Sequence, residues 1–409
     1  MNSLKNNKLA ILIPSLLGGG SERVVITLTQ GFVKLGIDTH LFVLERGKDY
    51  ETNDEITVIP LSYLQAKKSI SLGRKRYLYI PKQSVRLLHY IRKHKIKTVL
   101  SFQQRANLIN IALKAIYHHT AITNVRNTLS KAYKQKGILP KIKYKLNKYI
   151  NYSNTIICNS NGIKNDLITN FHIKPEKINV IYNPYDIELI KTLSKEQLEP
   201  EYKELFNATV IINVGRFITQ KAQWHLIRAY KRIKSEIKDA KLVILGAGGF
   251  EQYLKQLAIS LGFENEIHFL GFQKNPFKFV SKAKVFVLSS LWEGFPNVLV
   301  EAMICGTPVI STDCRSGPRE ILAPDTDPLY ETKTIEYAPY GILVPVMDGI
   351  MYNANDPLTK EESLLADAIT TMLKDGNMRN TYSAKALRRV EDFNKDKIIK
   401  EYLDVIFPE

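Results

Sequence analysis

Short apolar runs alternate with amphipathic stretches along almost the whole chain. In the first half, continuous apolar runs predict buried strands at 9–14, 39–44, 98–102, 121–125, 155–158 and 178–181. Between them, apolar residues return with helical spacing over 83–93, 105–117 and 162–170. Ser21 is placed to cap an earlier helix that runs to about Leu35. Asn183-Pro184-Tyr185 interrupts the pattern, and it then starts again. The second half predicts strands at 209–214, 241–245, 266–270 and 341–345, with a helix from Lys221 to about Ile233. Helical stretches at 364–373, 379–392 and 395–406 close the chain. Strands alternating with helices imply a parallel sheet covered on both faces. A chain of 409 residues is too long for one typical core. The expectation is therefore two doubly wound α/β domains, 1–188 and 189–392, with a last helix at about 393–409 joining the first. In such sheets ligands bind beyond the carboxyl ends of the strands, so facing domains would hold the active site in the cleft between them.

One stretch, 285–310, organises the second domain. Residues 285–288 read as a buried strand, ended by Ser289 and Ser290. The turn Glu293-Gly294-Phe295 leads to Pro296, which suits a first helical position because its missing N–H is not needed there. A helix over 297–304 follows, then Cys305-Gly306 and a strand at 308–311. A strand, a glycine-bearing turn and a helix start present backbone N–H groups and a positive dipole end to an anion. Glu293 lies in the turn and Glu301 two helical turns further on.

Composition narrows the function. Hydrophobic residues make up 44 % of the chain, as in globular proteins. Three cysteines without C-x-x-C spacing imply neither a disulfide framework nor a zinc site, and point to reduced thiols. No apolar run reaches the ~18 residues of a membrane span, and the residues after 9–17 fit a signal-peptide cleavage site poorly. Charge is sharply divided. Residues 1–190 carry 30 Lys+Arg against 11 Asp+Glu, and residues 191–409 carry 28 against 29. Between Glu55 and Asp166 there are 22 basic residues and no acidic one. Such a one-sided tract argues for a polyanion: nucleic acid, an anionic membrane surface or a phosphorylated lipid.

Several features converge on diphosphate chemistry. Gly18-Gly19-Gly20 ahead of a helix lets backbone approach a phosphate, although a tight strand-to-helix turn explains the glycines equally well. Arg216 and Lys221 can aim a guanidinium fork and a point charge into one site. Gly246-Ala247-Gly248-Gly249 lacks the spacing of a dinucleotide fingerprint.

Taken together, Gly215-Arg216 with Lys221, Gly246-Ala247-Gly248, the Glu293 to Glu301 pair with Ala302, and Gly306-Thr307-Pro308-Val309-Ile310-Ser311 resemble the retaining glycosyltransferases of family 4. The resemblance spans 209–345 and is looser in the first half, where it rests on Gly18 to Arg23 and Asn183-Pro184. Ser316-Gly317-Pro318-Arg319-Glu320-Ile321 is similar to the bacterial branch that builds lipid-linked and surface polysaccharides, including lipopolysaccharide and capsule.

The resemblance implies a GT-B fold of two facing Rossmann-like domains, an N-terminal one for the acceptor and a C-terminal one for a UDP-sugar. Arg216, Lys221 and Glu293 would be catalytic, the cations on the diphosphate leaving group and Glu293 on the donor sugar. Gly19, Gly20, Gly246, Gly294, Phe295, Asn297, Val298 and Glu301 would complete the donor site, Glu301 taking the ribose hydroxyls. No metal or other cofactor is implied, and Asp325-Thr326-Asp327 reads as incidental.

Many relatives carry a His after the strand predicted here at 121–125; this chain has Asn124-Val125-Arg126-Asn127 instead. Arg126 offers charge there but no base at neutral pH. In a helix over 139–150, Leu139, Ile142, Leu146, Tyr149 and Ile150 share an arc, flanked by Lys141, Lys143, Lys145 and Lys148. That helix either buries the arc in its own domain or lies on an anionic membrane and guides a polyprenyl-diphosphate-linked acceptor. The resulting expectation is a hexosyl- or N-acetylhexosaminyltransferase, cytoplasmic and peripheral to the inner membrane face. The competing readings are a nucleic-acid-binding protein, against which no recognition motif appears, and a sugar-nucleotide epimerase of the same fold.

Overall fold

The computed structural model describes residues 7–17, 19–47, 56–66, 73–132 and 147–408. Its contacts divide the chain into two compact units, Met1–Tyr185 with Phe393–Glu409, and Asp186–Asp392.

In the first unit, strands β1 (Lys8–Ile13), β2 (Asp38–Val43), β3 (Val58–Pro60), β4 (Thr98–Phe102), β5 (Thr120–Val125), β6 (Thr155–Cys158) and β7 (Ile178–Val180) form one sheet in the order β3-β2-β1-β4-β5-β6-β7. Every neighbouring pair is parallel. β1 shows why such strands are written as unbroken apolar runs. Leu9, Ile11 and Ile13 enter one core cluster, while Ala10 and Leu12 enter another. β3 escaped notice because it is a three-residue, half-buried edge strand with no run long enough to register. The last helix, Lys395–Ile406, sets Ile398, Ile399, Tyr402, Leu403 and Ile406 into the core shared with helix Gly20–Lys34. Gly31 permits this approach, since a Cβ there would stand 2.2 Å from Ile399 Cδ1.

The second unit repeats the plan. β8 (Thr209–Val214), β9 (Ala240–Leu245), β10 (Ile267–Gly271), β11 (Val285–Leu288), β12 (Val309–Thr312), β13 (Glu336–Ala338) and β14 (Gly341–Val344) form a sheet ordered β10-β9-β8-β11-β12-β14-β13. Only β13, at the edge, runs antiparallel among these strands. Its core gathers Ile211, Leu242, Ile244, Val285, Val287, Ile310 and Ile342 beneath helices Gln223–Glu236 and Lys360–Lys374.

The structure alters four local expectations. Ser21 lies inside helix Gly20–Lys34, whose cap is Gly19 in extended conformation. Pro296 is the N-cap of helix Asn297–Ile304 rather than its first residue. Lys221 ends a short 3-10 turn, Thr219–Lys221, because Ala222 at φ 45° turns the chain left-handed before helix Gln223–Glu236 begins. Of the predicted 139–150 helix, residues 139–146 lie outside the described residues, among them Lys141, Lys143 and Lys145. Its end is a 3-10 helix, Asn147–Tyr152, with Lys148 exposed and Ile150 buried. Among the described residues, no helix is long and apolar enough to cross a membrane.

Candidate active site

The site is assembled at the carboxyl edge of the second sheet. The chain leaves β8 through Gly215, whose N–H donates to Leu245 O at 2.9 Å, and Phe217 N–H donates to Ala247 O at 3.0 Å. These bonds tie the loop after β8 to the loop after β9, backbone against backbone. Gly246 adopts φ 143°, and a Cβ on it would stand 2.0 Å from Gly215 O; one on Gly248 would meet Phe217 O at 2.4 Å. Gly246 is thus demanded by loop packing. Arg216 projects from this junction as an exposed side chain.

Helix Gln223–Glu236, which follows Lys221, is anchored by buried charge. The Arg228 guanidinium meets Glu362 (Nε–Oε1 2.9 Å) and the carbonyls of Asn353, Asp356 and Pro357. His225 Nδ1 lies 2.8 Å from the same Glu362 oxygen, and Trp224 Nε1 donates to Ile350 O at 3.0 Å. Burial alone would raise the Glu362 carboxyl, but bonds from His225 and Arg228 hold it below its ordinary value.

The loop after β11 is knitted to the Lys221 turn. Ser289 Oγ donates to Lys221 O and Leu291 N–H to Gln220 O, both at 2.8 Å. Glu293 is therefore delivered to Lys221. Nζ of Lys221 stands 2.5 Å from Glu293 Oε1, with the side chains 14 % and 8 % exposed. Ser290 Oγ donates to the same oxygen at 2.6 Å and Gln220 Nε2 to Oε2 at 3.2 Å. Behind this carboxylate runs the segment 313–317. Glu293 N–H donates to Arg315 O, Ser316 N–H to Glu293 O, and Ser316 Oγ to Gly294 O, each at 3.1 Å. Gly317, at φ 98°, lets the segment press against Gly294 O, which a Cβ would approach to 2.8 Å. Arg319 pins the segment by gripping Asp313 (Nη2–Oδ2 2.5 Å) and Glu336 (Nη2–Oε2 2.7 Å).

Phe295 is buried just before helix Asn297–Ile304, and Asn297 and Val298 are half-buried in its first turn, where backbone N–H groups lack helical partners. Glu301 is buried about one turn in. Burial and the Glu301 carboxylate push the Cys305 thiol up, so it is an inert neighbour at neutral pH.

The expected residues thus fall into two groups. Arg216, Lys221, Gly246, Glu293, Gly294, Phe295, Asn297, Val298 and Glu301 all belong to loops or a helix start that follow β8, β9 and β11. Gly19, Gly20, Arg126 and Lys148 belong to the first unit, and Gly18 lies outside the described residues. For Arg126, the expectation of acceptor and membrane contact meets a buried side chain. It is only 8 % exposed, donates to Asn183 Oδ1 at 2.6 Å, and is held below its ordinary value by burial, so it cannot rest on a lipid surface. The pattern reading missed Ser290 and Gln220, which hold Glu293, and Arg319, which braces its backing. Only the placing of Ser290 three residues before Glu293, at a strand end, hinted at the first. Asp325 and Asp327 are exposed on a turn, and no cluster of three metal-ligating side chains occurs among the described residues.

Comparison with known proteins identifies the family. Two family models match the chain: Glycosyltransferase Family 4 over residues 18–189 and Glycosyl transferases group 1 over 194–336. An uncharacterized glycosyltransferase of Methanocaldococcus jannaschii is 38 % identical, covering 79 % of this chain and 82 % of its own. A Campylobacter jejuni enzyme is 31 % identical over 97 % of this chain and 98 % of its own. It is named N-acetylgalactosamine-N,N'-diacetylbacillosaminyl-diphospho-undecaprenol 4-alpha-N-acetylgalactosaminyltransferase. Among solved structures, Anabaena HepE in complex with UDP aligns with a TM-score of 0.72 at 19 % identity, covering 97 % of this chain and 99 % of its own. The two α/β units, their parallel sheets and these similarities together show that the chain belongs to the group 1 glycosyltransferases of GT-B fold.

Proposed function

We propose that this enzyme transfers a hexose or N-acetylhexosamine, with retention, from a UDP-sugar to a polyprenyl-diphosphate-linked or surface-polysaccharide acceptor at the cytoplasmic membrane face. The observation that carries the reading is the Lys221–Glu293 pair, held in near-complete burial at the carboxyl edge of a doubly wound sheet. A cation kept there by a carboxylate can exchange that carboxylate for a donor diphosphate. Arg216 adds a fork to the same phosphates. Glu293, released from Lys221, then meets the hydroxyls of the donor sugar, and Glu301 accepts from the ribose. Gly294, Phe295, Asn297 and Val298 are the proposed backbone contacts.

The chemistry follows from charge. The bond from the anomeric carbon to the β-phosphate oxygen breaks, and UDP leaves with the electron pair. Negative charge grows on the phosphate as it goes, where Lys221 and Arg216 stabilise the transition state more than the ground state. The acceptor hydroxyl oxygen bonds to the same face of the anomeric carbon, and its proton passes to the departing phosphate oxygen. The two cations do the work of a divalent ion, so no metal is required. An undecaprenyl-diphosphate acceptor in the name of the Campylobacter relative and UDP in the Anabaena crystal support these choices.

Thermal-shift screening against UDP-hexoses and UDP-N-acetylhexosamines identifies the donor. Lys221→Ala and Glu301→Ala should each reduce transfer by about a hundredfold or more while leaving the fold intact. Wild-type turnover in both would remove the site assignment.

A further inference from the structure

We propose that the outward face of residues 73–93, with Tyr63 beside it, docks on an anionic lipid bilayer; that such a docking serves catalysis rests on the lipid-borne acceptor proposed above. Helix Ile80–Lys93 buries Gln83, Leu87 and Ile91, which recur every fourth residue and mark its inward stripe. At about 100° per residue, Val85 points about 160° from the middle of that stripe, straight outward. Val85 is 66 % exposed, and Lys82, His89 and Arg92 share its face as exposed side chains. Immediately upstream, the 3-10 helix Gly73–Tyr79 leaves Leu78 78 % exposed beside exposed Lys75 and Tyr79. Tyr63, 69 % exposed, has two guanidinium groups against its ring, Arg46 at 4.5 Å and Arg86 at 5.1 Å from the ring centre.

A single exposed aliphatic side chain needs no explanation. Here two of them, with two tyrosines, stand among cations in a tract that carries no acidic residue from 56 to 165. A nucleic acid would use the cations and rings, but gains nothing from Leu78 and Val85, which have no π face to stack on a base. A bilayer interface uses every part. Lysine and arginine heads reach lipid phosphates, tyrosines sit at headgroup level, and the aliphatic tips enter the acyl boundary.

Co-sedimentation of the full chain with vesicles tests this. Vesicles of phosphatidylglycerol mixed with phosphatidylcholine should pull the protein down, and pure phosphatidylcholine should not. Leu78→Ser with Val85→Ser, and separately Lys82→Glu with Arg92→Glu, should each weaken binding about tenfold or more. Both pairs should keep wild-type turnover on a water-soluble acceptor. The proposal is overturned if the wild type stays in the supernatant with anionic vesicles or if both double variants sediment like it. It also fails if a single-stranded oligonucleotide binds more tightly at equal phosphate concentration and loses affinity in the same variants. A wild type that binds vesicles yet turns over no UDP-sugar refutes the donor assignment and leaves this surface standing.

Discussion

The ion pair between Lys221 and Glu293 makes a prediction with a number attached. Lys221→Met removes the counter-ion of a carboxylate that is only 8 % exposed. Breaking a buried pair from one side costs about 3–5 kcal/mol. Glu293 retains Ser290 and Gln220 as donors, so the expected loss for this variant is about 2–3 kcal/mol. Glu293→Gln keeps the shape and an acceptor for Lys221, whose ammonium still reaches solvent, and should cost about 1–2 kcal/mol. With both changes no ion is stranded, so the double variant should lose about 1–2 kcal/mol, a coupling of about 2 kcal/mol. The chain has two tryptophans, Trp224 and Trp292, and both lie in the second unit. Urea titration followed by tryptophan fluorescence therefore reports that unit separately. Additivity of the single variants within about 0.5 kcal/mol would refute the pairing. The same variants separate binding from chemistry. Glu293→Gln removes the anion that competes with the diphosphate for Lys221, so UDP should bind more tightly by calorimetry while turnover falls. Weaker UDP binding in that variant would mean that Glu293 does not compete for the cation.

Other expectations follow from the same geometry. Gly246→Ala drives a methyl to 2.0 Å from Gly215 O at φ 143°, and should destabilise the second unit by at least about 2 kcal/mol in the same titration. His119 is buried against Asn110, and burial, with Lys114 and Lys97 nearby, holds its imidazole at about 4 against an ordinary 6.5. Between those values the unfolded chain takes up a proton that the folded chain refuses, so stability of the first unit falls as pH drops from 6.5 toward 4. The loss is at most about 3 kcal/mol, and melting curves of His119→Gln across that window should be correspondingly flatter. Glu362 titrates below its ordinary 4.5, so its contribution is present above that pH and lost as pH falls through the lower folded value; Glu362→Gln should blunt acid unfolding of the second unit. EDTA should leave transfer unchanged, and a metal-dependent rate would show that Arg216 and Lys221 do not suffice.

The alternation of strands and helices was legible because a parallel sheet covered on both faces must be written as unbroken apolar runs between amphipathic helices. Strands β4, β6, β8 and β11 and helices Asn297–Ile304 and Lys395–Ile406 have the limits that pattern implies. The residues that resemble the family lie mostly in the loops after β8, β9 and β11 and in helix Asn297–Ile304. Local periodicity reports only whether a position faces a core; it does not say which distant position it meets. Lys221 and Glu293 are 72 residues apart, and nothing in either segment specifies a contact between them. Their meeting depends on β11 pairing beside β8, a choice made by the whole sheet. The left-handed Ala222, the edge strand β3 and the bracing of segment 313–317 by Arg319 have the same origin. Sequence alone determined the two doubly wound units and the kinds of side chain brought to the candidate site. Tertiary structure decided that two of them neutralise each other in advance of substrate, because only packing between elements sets the distance between charges.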